Sequence, residues 1–237
     1  MKEFSYSRLS LYEICNLRFY YKYVLGIDEP DTKPLALGKA THKALESIIS
    51  KGSVIEEAIK EGFIECGFHE EVTYDEIRQL VENAPLKKLK GETELYFRIP
   101  LFDYDDSPVI QGYIDLVDGN KIIDFKTNWK TYDVMANHQV GLYAWAIHKI
   151  KGYSQVHGSL YFLRFRKESS FVFTEEEMNQ AANWARNLVD EIRFKLDVLD
   201  IYPDKVNKLF PYNPSSFCSH CPFVLDCYKQ KNTGKGI

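Results

Sequence analysis

At 237 residues the chain is long enough to bury a sizeable core, and with no Ser/Gly/Pro-rich linker it reads as one α/β domain with extensions. A net charge of -4 excludes a generic nucleic-acid coat, whose affinity rests on Lys and Arg neutralising phosphates, so any contact with DNA has to be local. Apolar runs of only a few residues exclude a bilayer span, and the opening MKEFSYSRLS lacks the apolar stretch of a secretion signal, which points to the cytoplasm.

In chain order, SYSRLSLYEICNLRFYYKYVLGI carries Leu9, Tyr12, Leu17 and Tyr20 at helical spacing, so a helix with Cys15 in its middle is expected. Helical period resumes from about Thr41, and two more helices follow over 54–84; the helical segment 54–90 could form an arch that admits a threaded strand. These make an N-terminal helical layer. ETELYFRIPLF, VIQGYIDLV and KIIDFKT, rich in β-branched and aromatic residues, predict a three-stranded meander. NHQVGLYAWAIHKIKG predicts a helix closed by Gly152, QVHGSLYFLRF and SSFVFT two strands, and Glu175 to about Leu199 a long helix capped by Thr174. The tail beyond Pro203 reads as irregular and in need of something to hold it. The expected whole is a mixed sheet flanked by helices: a helical layer over 1–90, a core over 91–200 and a cysteine-bearing tail over 201–237.

Aromatic residues make up 14% of the chain, enough for a core and for surfaces on which bases could stack. Candidate basic patches are Lys87, Lys88 and Lys90, then Arg164, Arg166 and Lys167, then Lys229, Lys231 and Lys235. No G-x-x-x-x-G-K-[ST] phosphate loop is present, so the chain has no ATP motor of that kind.

The stretch GYIDLVDGNKIIDFKT reads as a hairpin. With Gly119 and Asn120 as its two-residue loop, Asp115 falls opposite Asp124 on one face, while Ile114, Leu116, Ile123 and Phe125 form an apolar surface on the other. Carboxylates facing each other at roughly 5 Å repel unless something compensates, and a divalent cation is the natural compensation. Lys126 projects from the same face, close enough to orient or deprotonate a water there. By itself the hairpin could equally be an exposed ion-pair cluster of little energetic weight. His42 offers a further ligand from the helical layer, and an imidazole would shift the preference from magnesium towards manganese. Gln139 and Tyr143 form an i, i+4 pair on the helix that follows.

Cys218, Cys221 and Cys227 form C-x2-C-x5-C in the tail. An odd total of 5 cysteines without a secretion signal argues for metal binding over disulfides. Three clustered thiolates want a fourth ligand. Cys15 is the best candidate, since it would staple the two termini, with Cys66 or His220 as substitutes. Four thiolates suit either an iron-sulfur cluster or structural zinc.

SYSRLSLYEICNLRFYYKYVLGI, GKATH, GYIDLV, IIDFKT, QVGLY and CSHCPFVLDC, in this order, resemble the iron-sulfur branch of the RecB-like nucleases, which contains AddB-type and CRISPR-associated exonucleases, within the PD-(D/E)XK superfamily. The resemblance spans nearly the whole chain and implies a restriction-endonuclease-like core. It implies that His42, Asp115 and Asp124 bind one or two Mn or Mg ions, with the carbonyl of Phe125 completing the site. Lys126 is then the catalytic lysine, Gln139 and Tyr143 position DNA, and Cys15, Cys218, Cys221 and Cys227 hold a 4Fe-4S cluster. Asn16 stands where many relatives have proline, and Asp124 where Glu is common. The implied activity is metal-dependent phosphodiester hydrolysis in DNA, on single strands or as an exonuclease at ends. It would serve recombination, repair, phage or CRISPR-related processing beside a helicase, integrase or recombination partner. The competing expectation is a non-catalytic, cluster-stabilised DNA-binding scaffold.

Overall fold

A computed structural model describes residues 1–233, with side chains through Tyr228; Lys235 and the side chains of Lys229 and Lys231 lie outside the described residues. The chain forms two compact units. One comprises 1–30, 100–111 and the segment from Trp184 onward; the other comprises 31–99 and 112–183. Among the described residues, no helix is long and apolar enough to cross a membrane.

The first unit opens with strand β1 (Glu3–Phe4), helix α1 (Tyr6–Ile14) and helix α2 (Asn16–Phe19), which runs into a π-helical turn at Tyr20–Val24. Ser5 caps α1 by accepting the Arg8 N–H. The expected single helix is therefore broken at Cys15, whose extended backbone (φ -159°, ψ 108°) separates α1 from α2.

Helix α3 (Lys33–Lys51) starts eight residues earlier than Thr41, because Pro34 sits in its first turn, where a missing N–H costs nothing. Helices α4 (Ile55–Glu65) and α5 (Tyr74–Glu82) follow. Ala58 and Ile59 of α4 and Ile77, Leu80 and Val81 of α5 share one buried cluster with Ala36, Leu37, Ala40 and Ala44 of α3. The expected arch over 54–90 is thus absent among the described residues: α4 and α5, and Leu89 beyond them, pack into the same cluster as α3. The same cluster takes in Leu116, Phe125 and the partly buried Ile123, so this helical layer covers one face of the sheet.

That sheet contains β2 (Glu92–Pro100), β3 (Val109–Asp118), β4 (Lys121–Lys126), β5 (Val156–Phe162) and β6 (Lys167–Phe173). β3 pairs with β2 and antiparallel with β4, β4 runs parallel to β5, and β5 antiparallel to β6. In the first unit, the start of β3 carries β1 in parallel, Phe4 beside Ile110. Between β4 and β5 runs α6 (Gln139–Lys151), closed by Gly152 in the left-handed conformation that glycine adopts without penalty. It is buried nearly all round, and on the sheet it fills the space left by Gly158.

Helix α7 (Glu175–Ile201) begins after Thr174, whose N–H and hydroxyl both donate to Glu177. The tail is more regular than its composition suggests, with α8 (Val206–Leu209) and α9 (Val224–Thr233). Aromatic packing secures it within the first unit. Phe210 is fully buried against Tyr12, Phe19 and Tyr20, and Phe223 packs on Tyr21 at 5.1 Å between ring centroids.

Candidate active site

The β3–β4 turn has the expected register: Leu116 pairs with Ile123, Val117 with Ile122 and Asp118 with Lys121, and Gly119 adopts φ 60° in the loop. Beyond Leu116 the regular alternation slips. Ile122 is registered beside Gly158, where Val140 and Phe173 fill the space of a Cβ, so Ile122 faces α6. Ile123 and its partner Leu116 face the helical layer. Unbroken alternation would turn Gly112 to that layer as well. Its open side instead meets the rings of Phe97 at 3.1 Å and Tyr143 at 3.8 Å. One residue between Gly112 and Leu116 is therefore out of step, as at a β-bulge.

The slip redirects the carboxylates. Leu116, Ile123 and Phe125 share the expected apolar face, but Ile114, fully buried, stands outside that cluster, and Asp115 turns towards α3. Asp115 Oδ1 lies 3.1 Å from His42 Nδ1, and Oδ2 accepts the backbone N–H of Phe125 at 2.6 Å. Asp124 stays on the α6 side. Its Oδ1 accepts from Gln139 Nε2 at 2.9 Å, and its Oδ2 sits 2.7 Å from Lys126 Nζ in an ion pair that lacks hydrogen-bond geometry. Lys126 donates to Gln139 Oε1 at 2.8 Å, and Gln139 also reaches the Tyr143 hydroxyl at 3.1 Å. The expected residues thus fall into two groups, His42 with Asp115 and Asp124 with Lys126, Gln139 and Tyr143, bridged by the Phe125 N–H.

Glu94 completes the first group and went unnoticed in the sequence, where it is one of two acids in the strand-like run ETELYF. One donor atom each from His42, Glu94 and Asp115 lie within 4.8 Å of one another. Glu94 is placed by a backbone irregularity, φ 51° within β2, a left-handed value that a side-chain-bearing residue adopts only at a cost. The three residues line a cavity of about 520 Å³ together with Lys39, Lys43 and Tyr113.

The electrostatics are those of an acid cluster short of positive charge. Burial pulls His42 down, but Asp115 and Asp124 more than offset it and lift its pKa to about 9. Burial and then Asp115 push Glu94 up to about 7. Burial also raises Asp124, against the pull of Lys126. Asp115 is held below the usual carboxylate range despite burial, by His42 and the Phe125 N–H. Burial opposes the charge on Lys126, yet Asp124 holds its pKa above the ordinary lysine value. A mixed imidazole and carboxylate set with converging donors fits a divalent cation of the magnesium or manganese type.

Residues 3–228 match the PD-(D/E)XK nuclease superfamily. The chain belongs to that superfamily. Its mixed sheet flanked by helices is the fold of such a nuclease core. The solved structure of SSO0001 aligns with 90% of this nuclease and 93% of its own chain, at 14% identity and a TM-score of 0.36, a likeness too slight to carry an inference. No match was found among curated proteins.

In the first unit of the nuclease, Cys15, Cys218, Cys221 and Cys227 line one cavity of about 180 Å³, together with Arg18. Hydrogen bonds bring the two ends there, with the Leu17 N–H donating to Pro211 O at 3.2 Å and the Asn213 side-chain Nδ2 to Ile14 O at 3.1 Å. Among the described residues, no three of these sulfurs converge to within 4.8 Å. Cys66 is elsewhere, buried in the helical layer. His220 does not line the cavity and contacts Ser219 at 2.8 Å. Two of the basic candidates have structural partners: Arg164 lies 3.6 Å over the Trp129 ring and donates to Thr127 O, and Arg166 donates to Asn83 Oδ1.

Proposed function

We propose that this nuclease is a divalent-cation-dependent deoxyribonuclease acting on single strands or free ends, with a structural 4Fe-4S cluster on Cys15, Cys218, Cys221 and Cys227. The observation that carries the reading is the convergence of His42, Glu94 and Asp115 beside a lysine clamped by an acid and an amide. When bound, a divalent ion supplies charge neutralisation and Lewis acidity for attack of water on phosphorus.

The protein's own groups do the rest. Asp115 orients His42, and Asp115, Asp124 and Glu94 supply the negative charge that holds a cation. Asp124 and Gln139 aim Lys126 at the site, where its ammonium orients the attacking water and offsets charge developing on the phosphoryl oxygens. Tyr143 fixes the Gln139 amide. Hydrolysis proceeds by direct displacement, with no covalent enzyme intermediate.

The donor chemistry at the second site, four thiols around one cavity, supports the cluster.

The test is cleavage of linear and circular single-stranded DNA with Mn, Mg or EDTA, by anaerobically purified wild type and Asp124→Ala. Cleavage that needs the ion and is lost in the variant is expected, with the circle spared if the enzyme works from ends. Full cleavage in excess EDTA overturns the reading. Two inert proteins that still bind DNA would instead establish the scaffold.

A further inference from the structure

We infer that Tyr113 and Tyr96 form a stacking platform for an unpaired nucleobase adjoining the scissile phosphate, so that the enzyme selects single-stranded nucleotides at that position. The inference rests on the nuclease reading above and adds to it the residues that recognise the substrate.

The two rings lie 5.1 Å apart at 45°, Tyr113 on β3 and Tyr96 on β2. Both are open to solvent, Tyr113 at 56% and Tyr96 at 46%. Tyr113 lines the same cavity as His42, Glu94 and Asp115. In sequence it precedes Asp115 by two residues, and Tyr96 follows Glu94 by two. Each strand therefore carries one acid of the metal-binding cluster and, two residues along, one tyrosine; Tyr113 lines the cavity itself, and Tyr96 stands against Tyr113.

The occupant follows from this continuity. A polynucleotide whose phosphate enters the acid and histidine cluster has to lay its next base within a nucleotide's reach of that phosphate, and the surface offered there is aromatic. Bases stack on tyrosine faces without regard to sequence. Lys39 and Lys43 line the same cavity, paired with Asp31 at 2.6 Å and with Glu46 at 2.8 Å, and an incoming phosphate would have to compete with those carboxylates for them. A base inside a duplex has both faces covered by its neighbours, so only an unpaired or terminal base can use the platform.

The test walks 2-aminopurine, whose fluorescence is quenched by stacking, along a single-stranded oligonucleotide. The proteins are Asp124→Ala in manganese, alone and combined with Tyr113→Ala or Tyr113→Phe. Cleavage by the three proteins with native Asp124 is measured in parallel. Quenching at one position that survives Tyr113→Phe and vanishes in Tyr113→Ala is expected. With it should come a roughly tenfold rise in KM for single strands in Tyr113→Ala at nearly constant kcat. Equal quenching in the alanine and tyrosine proteins overturns the platform, and so does an unchanged KM, while cleavage by wild type leaves the nuclease reading standing. Position-specific quenching without any cleavage by wild type establishes the platform and overturns the nuclease reading instead.

Discussion

The backbone N–H of Phe125 donates to Asp115 Oδ2 at 2.6 Å, which leaves Oδ1 to meet His42. One carboxylate thereby joins the strand carrying Asp124 and Lys126 to the helix carrying His42. Asp115→Asn keeps the shape but presents an amide N–H to one of these partners and removes a negative charge from the cation site. Cleavage is expected to fall about 100-fold or more, and the rise in melting temperature on adding manganese to vanish. A variant that keeps both would remove Asp115 from the site.

Proton binding gives an independent check in metal-free protein. His42 is lifted from 6.5 to about 9, so its contribution to stability is complete below pH 6.5 and is lost as pH rises through 9. Glu94 is lifted from 4.5 to about 7, so the folded state holds its proton more tightly and loses ground as pH climbs from 4.5 through 7. Both slopes have the same sign, since the native state binds more protons than the unfolded chain. In EDTA the melting temperature should decline between pH 5.5 and 9, and the gain on adding manganese should grow over that range, because ligands must shed protons to bind the ion. Glu94→Gln should flatten the part below pH 7 and raise the metal-free melting temperature at pH 8. A flat or rising profile in EDTA would refute this.

Much of the site was legible because it follows chain periodicity. The turn register could be set by burial alone, and with it the placement of Leu116, Ile123 and Phe125 on one apolar face. The facing of Asp115 could not, because a single out-of-step residue before Leu116 reverses a side chain while leaving composition unchanged. Glu94 stayed hidden for a related reason. Its position depends on a left-handed backbone value inside a strand, which residue identity at that position does not signal. The first helix was misjudged at Cys15 because hydrophobic spacing continues across the break. Chemistry alone suggested Cys15 as a fourth partner for the tail thiols, and the four cysteines line one cavity, which leaves the ligand set a proposal.

Gln139 contacts Lys126, Asp124 and Tyr143 at once. Its amide matches them in polarity, oxygen towards the ammonium and nitrogen towards the carboxylate. Gln139→Glu would set a second carboxylate beside Asp124, and Gln139→Ala would leave both partners short. Both variants are expected to lose about 10- to 100-fold in kcat with KM nearly unchanged, as befits a residue that positions another. A change confined to KM would assign Gln139 to DNA binding instead.

Two glycines in the helical layer should respond oppositely to alanine. A Cβ on Gly62 of α4 would collide with the backbone carbonyl of Ala40 on α3, which cannot yield without separating the helices. A Cβ on Gly38 of α3 would meet only Thr127 Oγ1 at 3.8 Å, an ordinary contact, and alanine improves a helix interior by about 1 kcal/mol. Gly62→Ala is expected to lower the melting temperature by about 5 °C and Gly38→Ala to raise it slightly. Equal effects would mean that α3 and α4 do not pack as described.

The thiols can be sorted by the same logic. Cys221 lines the tail cavity with Cys15, Cys218 and Cys227, whereas Cys66 is buried among aliphatic side chains and donates its S–H to Phe63 O. If the tail cavity holds an iron-sulfur cluster, Cys221→Ser in anaerobically purified protein should remove the brown colour and lower the melting temperature, because the cluster would cross-link Cys15 to the tail. The aromatic contacts of Phe210 and Phe223 should keep the rest of the first unit folded. Cys66→Ser should keep the colour and lose a smaller amount of stability, having exchanged a thiol for a more polar group in an apolar site. Colourless wild-type protein containing stoichiometric zinc would reassign the site to a single ion. Colour and melting temperature unchanged in Cys221→Ser would remove that residue from the ligand set.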